Sequence, residues 1–299
     1  MQWLSRAGLA AAVSNACGLG TIAAASFYSD EELRREIRLL KSLTDKPFAV
    51  NFTLMPTRRP IVWEAYINAA LEEGTPVIET SGRSPEPYMD WLKASGVTVI
   101  HKASRIRDAL TAQRLGADAV IIVGYEAGGH PGMEETGTMV QLPAAVDALD
   151  IPVIAAGGFG DGRGLAAALS LGAQGIVMGT RFMASGECDL HPSLKKLLVD
   201  TPATGTLIIE RSIRNAARVL RTSFSEAVLE MEQRGAALVD LIPLLDGERI
   251  RRCYENGTPD DSILYCGQSV GLIDSIMSAG DIIETTVAQA ETIRRETPA

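Results

Sequence analysis

Residues 117–132 read ADAVIIVGYEAGGHPG, and the rest of the chain is organised around them. Ala119 to Val123 is an unbroken apolar run. A strand buried on both faces, as in a parallel sheet, has this composition. The run ends at Gly124, and the chain continues through Tyr125 and Glu126 to Gly128, Gly129, His130, Pro131 and Gly132. Adjacent glycines let a backbone come close to a ligand, and an imidazole follows on the same loop. At the C-terminal end of a strand, that setting marks His130 as an active-site residue rather than an ordinary surface or core histidine.

Outward from this stretch, short apolar runs alternate with helical patterns. Strands are expected at Leu19–Ala25, Phe48–Thr53, Pro76–Thr80, Val97–Lys102, Ala119–Val123, Pro152–Ala156 and Gly175–Gly179. Helices are expected between them, with an N-cap and acidic first turn at Ser29-Asp30-Glu31-Glu32 and a helix around Pro143–Leu149 after the His130 loop. Strand and helix alternating at this spacing mean a parallel α/β sheet. A closed barrel needs eight strands, and the chain opens on the loop and helix that should follow a first one. The expected fold is therefore a (β/α)8 TIM barrel lacking its first strand, with a doubly wound sheet as the alternative. After Gly179 the pattern reads as helices only. The expected division is a barrel over 1–186, a helical cap or lid over 187–260, and a last segment, 261–299, whose helix packs back on the barrel.

The chain has 299 residues, 46% of them hydrophobic, enough for one large core. A net charge of −9 argues against nucleic acid as a partner. Cys17, Cys188, Cys253 and Cys266 show neither CxxC nor metal-ligand spacing, which suits a reducing cytoplasm and gives no metal site. LAAAVSNACGLGTIAAA near the start is interrupted by Ser14, Asn15 and glycines, and reads as helix then strand rather than as a signal peptide. No run is long enough to span a bilayer. The expected partner is a small molecule, with no membrane or nucleic acid, and with room for a homodimer.

Two glycine-rich turns follow the last two strands: Gly157-Gly158-Phe159-Gly160-Asp161-Gly162, and Gly179-Thr180-Arg181. Barrels that bind phosphate build the site from these loops, with backbone N–H groups and a helix N-terminus facing the anion. Asn51 and Thr53, Glu79 and Thr80, and His101 and Lys102 end other strands and are expected to point into the same mouth. There a lysine would offset the charge of a reduced flavin. Glu126 reads as structural, His191 as a helix cap, and Arg58 and Arg59 as solvated.

With these residues in place, the chain resembles the FMN-dependent nitronate monooxygenases, formerly 2-nitropropane dioxygenases. The matching blocks are MQWLSRAGLAAAVSNACGLGT, FAVNFTLMPTRRP, VIHKASRIRDAL, GYEAGGHPG, IAAGGFGDGRGL, MGTRFMAS, RSIRNAARVL and GQSVGLI, which span nearly the whole chain. The resemblance implies an FMN-containing barrel in which Gln2, Asn51, Thr53 and Lys102 contact the flavin. Gly157, Gly158, Gly179 and Thr180 would cradle its phosphate, with Gly128 and Gly129 close to the cofactor and His130 as the catalytic histidine. It also implies that Met1 follows a strand ending in Gly-Gly, so the start has been assigned late or the chain is truncated. An upstream reading frame encoding such a strand is the expectation.

The implied reaction oxidises an alkyl nitronate with O2 to a carbonyl compound and nitrite. MQW, TLMPTRRP and GHPG equally resemble a branch working as NADH:quinone reductase, with NADH as donor and Pro56 on a gating loop. FMN-dependent enoyl-ACP reduction ranks third, because an acidic chain with no clear basic patch suits acyl carrier protein poorly. A truncated, inactive flavin-binding protein is the remaining reading, since a lost strand exposes two sheet edges.

Overall fold

The structure, a computed structural model, describes residues 1–55 and 59–296. Its centre is a sheet of seven parallel strands: β1 (Gly20–Ala23), β2 (Phe48–Thr53), β3 (Val77–Ser81), β4 (Thr98–Ala103), β5 (Ala119–Val123), β6 (Val153–Ala156) and β7 (Gly175–Val177). Each strand pairs with the next in chain order. A doubly wound sheet reverses its strand order at a switch point, and this sheet has none, so the barrel reading holds.

The helices between the strands are α1 (Ala7–Asn15), α2 (Asp30–Leu43), α3 (Trp63–Glu72), α4 (Glu86–Ala94), α5 (Ile106–Arg114), α6 (Thr138–Ala148) and α7 (Gly162–Ser170). Their local causes are legible. Ser29 caps α2 by accepting from the Glu32 N–H, and Leu33, Ile37 and Leu40 form its buried stripe. α6 starts earlier than the sequence suggests, because the Glu126 carboxylate accepts the Thr138 N–H at 3.0 Å and Pro143 is absorbed inside the helix. A carboxylate there also complements the positive end of the helix dipole.

Past β7, α8 (Thr180–Met183) and α9 (Pro192–Val199) lead into an antiparallel hairpin, β8 (Thr206–Ile209) and β9 (Ala217–Leu220). This corrects the expectation of helices only. TLII and ARVL are short apolar runs, and short runs do not separate strand from helix by periodicity. Then come α10 (Ser223–Gln233), α11 (Leu238–Leu241), α12 (Gly247–Asn256) and α13 (Ala279–Glu296). α13 packs along α7 and also against α1, so it covers the sector between the two sheet edges, β7 and β1. One apolar cluster joins Leu4 and Leu9 to Leu207, Val219, Ile250, Ile263 and Ile282, so the segments after β7 share a core with the start of the chain.

Side-chain direction alternates along each strand. Ile100, Ala119, Ile121, Val123 and Ala156 form the apolar interior of the barrel. Val50, Phe52, Ile78 and Val99 face the helices on the opposite side of the sheet. Among the described residues no helix is long and apolar enough to cross a membrane.

Candidate active site

The polar groups converge at the C-terminal ends of the strands. Asn51 and Thr53 of β2 lie in register with Glu79 and Ser81 of β3, and Ser81 with Lys102 of β4. The Lys102 Nζ donates to Glu79 Oε1 at 2.6 Å, and Asn51 Nδ2 donates to the same oxygen at 2.7 Å. Thr53 Oγ1 donates to Asn51 Oδ1 at 2.8 Å, and Ser81 Oγ to Thr53 Oγ1 at 3.1 Å. Glu79 is almost wholly buried, and a carboxylate taken out of water needs such partners. Glu79, expected from its strand end to face the mouth, is the acceptor that holds Asn51 and Lys102 in place, and the structure adds the Ser81 hydroxyl.

Thr80 and His101 do not join them. Being one residue out of phase, they point into the helix layer, where Thr80 Oγ1 and His101 Nδ1 lie 2.9 Å apart. The expectation that both residues of each strand end would face the mouth is corrected by the two-residue period of a strand. Burial lowers the His101 pKa from 6.5 to about 4, so the ring is neutral at physiological pH. The unfolded chain binds a proton there between about pH 6.5 and pH 4 that the folded chain does not. Stability is therefore expected to fall with pH across that window, by up to about 3 kcal/mol. Urea unfolding at stepped pH should show a shallower loss for His101→Gln, and equal slopes for the two proteins would refute the assignment.

The two glycine turns are neighbours, following the adjacent strands β6 and β7. Gly157 and Gly158 have φ of +97° and +86°, a region that side-chain-bearing residues avoid. A Cβ at Gly157 would sit 2.8 Å from the Gly124 carbonyl oxygen, so the turn packs directly on the His130 loop. Thr138 Oγ1 donates to the Gly157 carbonyl at 2.9 Å and fixes it from below. Among the described residues, the N–H groups of Gly157, Gly158, Gly179 and Thr180 meet no protein acceptor. Four such donors on the turns after two adjacent strands fit a phosphate group.

The α7 terminus takes no part in this cradle. Asp161 caps α7 by accepting from Arg163 N and Gly164 N, and Gln289 takes the Gly162 N–H at 2.8 Å. A carboxylate already occupies that helix start, so the cradle consists of loop amides and the first N–H of α8, that of Thr180. Gln2 is tied to the turn after β1, donating from Nε2 to the Ala25 carbonyl at 3.3 Å.

On the His130 loop the close approach at Gly128 is made by the chain itself. A Cβ there would lie 2.6 Å from the Gly267 nitrogen, while Gly129 has open space. Gly267 N donates in turn to Thr180 Oγ1 at 2.9 Å, and Gln268 N to the Glu126 carbonyl at 2.9 Å. Residues 266–268 thus tie the β5 loop to the β7 loop. Glu126 is structural, as its sequence context suggested, and His191 caps α9 through Nδ1. Arg59 is docked rather than solvated: its Nη2 donates to the Phe27 carbonyl at 2.5 Å, and it lies 4.6 Å from the Tyr28 ring. Pro56, assigned to the gate, and Arg58 lie outside the described residues.

His130 is exposed at the rim of the mouth, where the hairpin supplies its partners. The Gly129 N–H donates to the Arg218 carbonyl at 3.0 Å, and the Arg218 N–H returns to Gly129 at 2.7 Å, so β9 is hydrogen-bonded to the His130 loop. The buried Arg218 guanidinium also donates to the Tyr125 carbonyl, at 2.9 Å from Nη2. His130 Nε2 lies 3.0 Å from Asn215 Nδ2 and 3.6 Å from Glu210 Oε2, and its ring is 5.6 Å from that of Tyr265. Burial pushes the Tyr265 phenol well above its ordinary pKa, so it stays protonated. Glu210, Asn215 and Tyr265 were not among the sequence candidates. Their only signal was membership of or proximity to the RSIRNAARVL block for Glu210 and Asn215, and proximity to GQSVGLI for Tyr265.

The pattern of the family described as nitronate monooxygenase matches residues 1–289. The chain belongs to the nitronate monooxygenase family. A probable nitronate monooxygenase of Staphylococcus saprophyticus is 33% identical, over 95% of this chain and 91% of that one. A (3aS,4S,5R,7aS)-5-hydroxy-7a-methyl-1-oxo-octahydro-1H-indene-4-carboxyl-CoA dehydrogenase of Rhodococcus jostii is 32% identical, over 97% of this chain and 90% of that one. Among solved structures, FabK of Thermotoga maritima superposes with a TM-score of 0.91 at 38% identity, covering 99% of this chain and 92% of that one. Members of the nitronate monooxygenase family are flavoprotein oxidoreductases. The loop amides described above are the part of this chain that suits a flavin phosphate.

Proposed function

We propose that this chain binds FMN and oxidises alkyl nitronates with O2, releasing a carbonyl compound and nitrite. The observation that carries the reading is an imidazole beside a buried carboxylate, His130 with Glu210, at the rim of a mouth that also holds four unclaimed loop amides. Gly157, Gly158, Gly179 and Thr180 would hold the phosphate, and Asn51, Thr53, Lys102 and Gln2 the flavin. When bound, FMN supplies electron transfer between substrate and oxygen.

The remaining work falls to the side chains. Lys102 places an ammonium at the mouth, held in one position by Glu79 and so pre-organised toward developing negative charge. His130 offers a hydrogen bond to the anionic nitronate.

A second reading, reduction of an acyl thioester with NAD(P)H as donor, is favoured by the likeness to a CoA dehydrogenase and to FabK. It is also favoured by a feature the sequence hid. The turn between β8 and β9 carries Arg211, which is ion-paired with Glu135, and Arg214 beside Asn215, so cationic groups stand at the rim next to His130.

Anaerobic titration of the purified yellow protein separates these readings. Bleaching of the flavin by a nitronate, followed by nitrite release on admitting O2, is the expected result. Bleaching by NADH alone overturns it, and reoxidation by an enoyl thioester or by a quinone then identifies the acceptor.

A further inference from the structure

The turn from Glu210 to Ala216 joins β8 to β9 and brings two polar groups to one point. Glu210 adopts φ +63° and Arg214 φ +57°, and the Asn215 N–H donates to the Glu210 carbonyl at 3.0 Å, closing the turn on itself. The Asn215 side chain then reaches back to the Glu210 carboxylate, with Nδ2 2.5 Å from Oε2, and the same Nδ2 lies 3.0 Å from His130 Nε2.

An ionised carboxylate only accepts hydrogen bonds, so it dictates which end of the carboxamide faces it. The NH2 end must point at Glu210, because the opposite orientation would set the Oδ1 lone pairs against the carboxylate. One amide hydrogen serves Glu210 and the other points at Nε2. A ring nitrogen that receives a hydrogen bond carries no proton of its own. The Glu210 side chain is almost wholly buried, its Oε1 has no partner, and Asn215 is its only hydrogen-bond donor among the described residues. The charge that orients the amide therefore has no competing claim on it.

We propose that Asn215, oriented by Glu210, is a positioning residue that sets the tautomer of His130, placing the proton of the neutral ring on Nδ1. Nδ1 has no protein partner among the described residues, so it is the atom offered to a ligand. An Nδ1–H presents a donor to an anionic oxygen, whereas the other tautomer presents a lone pair and repels it. This rests on the reading of His130 as the residue that meets substrate.

The test reads the tautomer directly, whatever substrate the enzyme takes. Long-range 1H–15N NMR of the flavin-loaded, histidine-labelled protein is recorded at about pH 9, well above the ordinary histidine pKa. The His130 signals are assigned by their loss in His130→Ala. The wild-type ring is expected to show a protonated Nδ1 and an unprotonated Nε2. In Asn215→Ala the amide donor is gone and Glu210 Oε2 becomes the nearest partner of Nε2. The proton should then move to Nε2, with flavin content unchanged and kcat/KM falling about tenfold or more. A wild-type spectrum with the proton on Nε2 overturns the proposal, even if the variant does not fold. So does an Nδ1–H tautomer that persists in Asn215→Ala. A failed nitronate titration combined with an Nδ1–H spectrum would revise the substrate and leave the tautomer assignment standing.

Discussion

Gly179→Asp is expected to purify as a folded but colourless protein. The residue has φ −105°, open to any side chain, and the nearest atoms to a Cβ placed there are Met1 Sδ at 3.7 Å and Cγ at 3.8 Å. Both are ordinary contacts, and the position is the N-cap of α8, where Asp is a favoured residue. The fold should therefore tolerate the change. The anion cradle should not. A carboxylate about 5 Å from a phosphate costs on the order of 3 kcal/mol per unit charge at an effective dielectric of about 20. As an N-cap it would face the Arg181 and Phe182 amides, as Asp161 accepts from Arg163 and Gly164, and so hold its charge at the turn. Flavin affinity should drop by roughly a hundredfold or more, read from visible absorbance and from titration of the apoprotein. Gly179→Asn, of equal size and uncharged, should keep most of the flavin. If the Asp variant stays yellow, the phosphate does not sit on this turn.

His130→Ala is expected to leave the flavin spectrum in place and lower turnover by about a hundredfold, within the usual range for a positioned acid, base or hydrogen-bond donor. The ring is exposed at the rim, so its removal opens no cavity, and Glu210 keeps its bond to Asn215. Melting temperature should change little. Steady-state rates with the substrate that bleaches the flavin, beside the absorbance spectrum, make the comparison. Turnover equal to wild type would remove His130 from the chemistry and leave the glycine cradle untouched.

The parts of this site that were legible beforehand are those written in consecutive residues. Apolar runs of strand length marked the sheet, and the glycines at 157 and 158 marked a turn that only such residues can make, as their positive φ angles bear out. Asn51, Thr53 and Lys102 were legible because polar residues ending apolar runs are unusual. Thr80 and His101 were misjudged for the same reason: adjacency along a strand looks like proximity, yet neighbouring side chains face opposite layers. The α7 terminus was misjudged because a helix start reads as a free anion site until something is seen to cap it. The hairpin was missed because two runs of four residues carry too little period to identify.

The alternation of strands and helices that makes a parallel α/β sheet was legible in the sequence alone, since period and alternation are local properties of the chain, whereas the strand order that excludes a doubly wound sheet came from the structure. His130 was singled out from the sequence too. What surrounds His130 was decided only by the tertiary structure. Glu210 and Asn215 lie about eighty residues away in the chain, and nothing local in either predicts a partner. They meet the imidazole because β9 is hydrogen-bonded to the Gly129 backbone and the turn at 210–216 folds back on itself. The polar groups of this rim are a contact between distant segments, made where the β8–β9 hairpin bonds to the His130 loop.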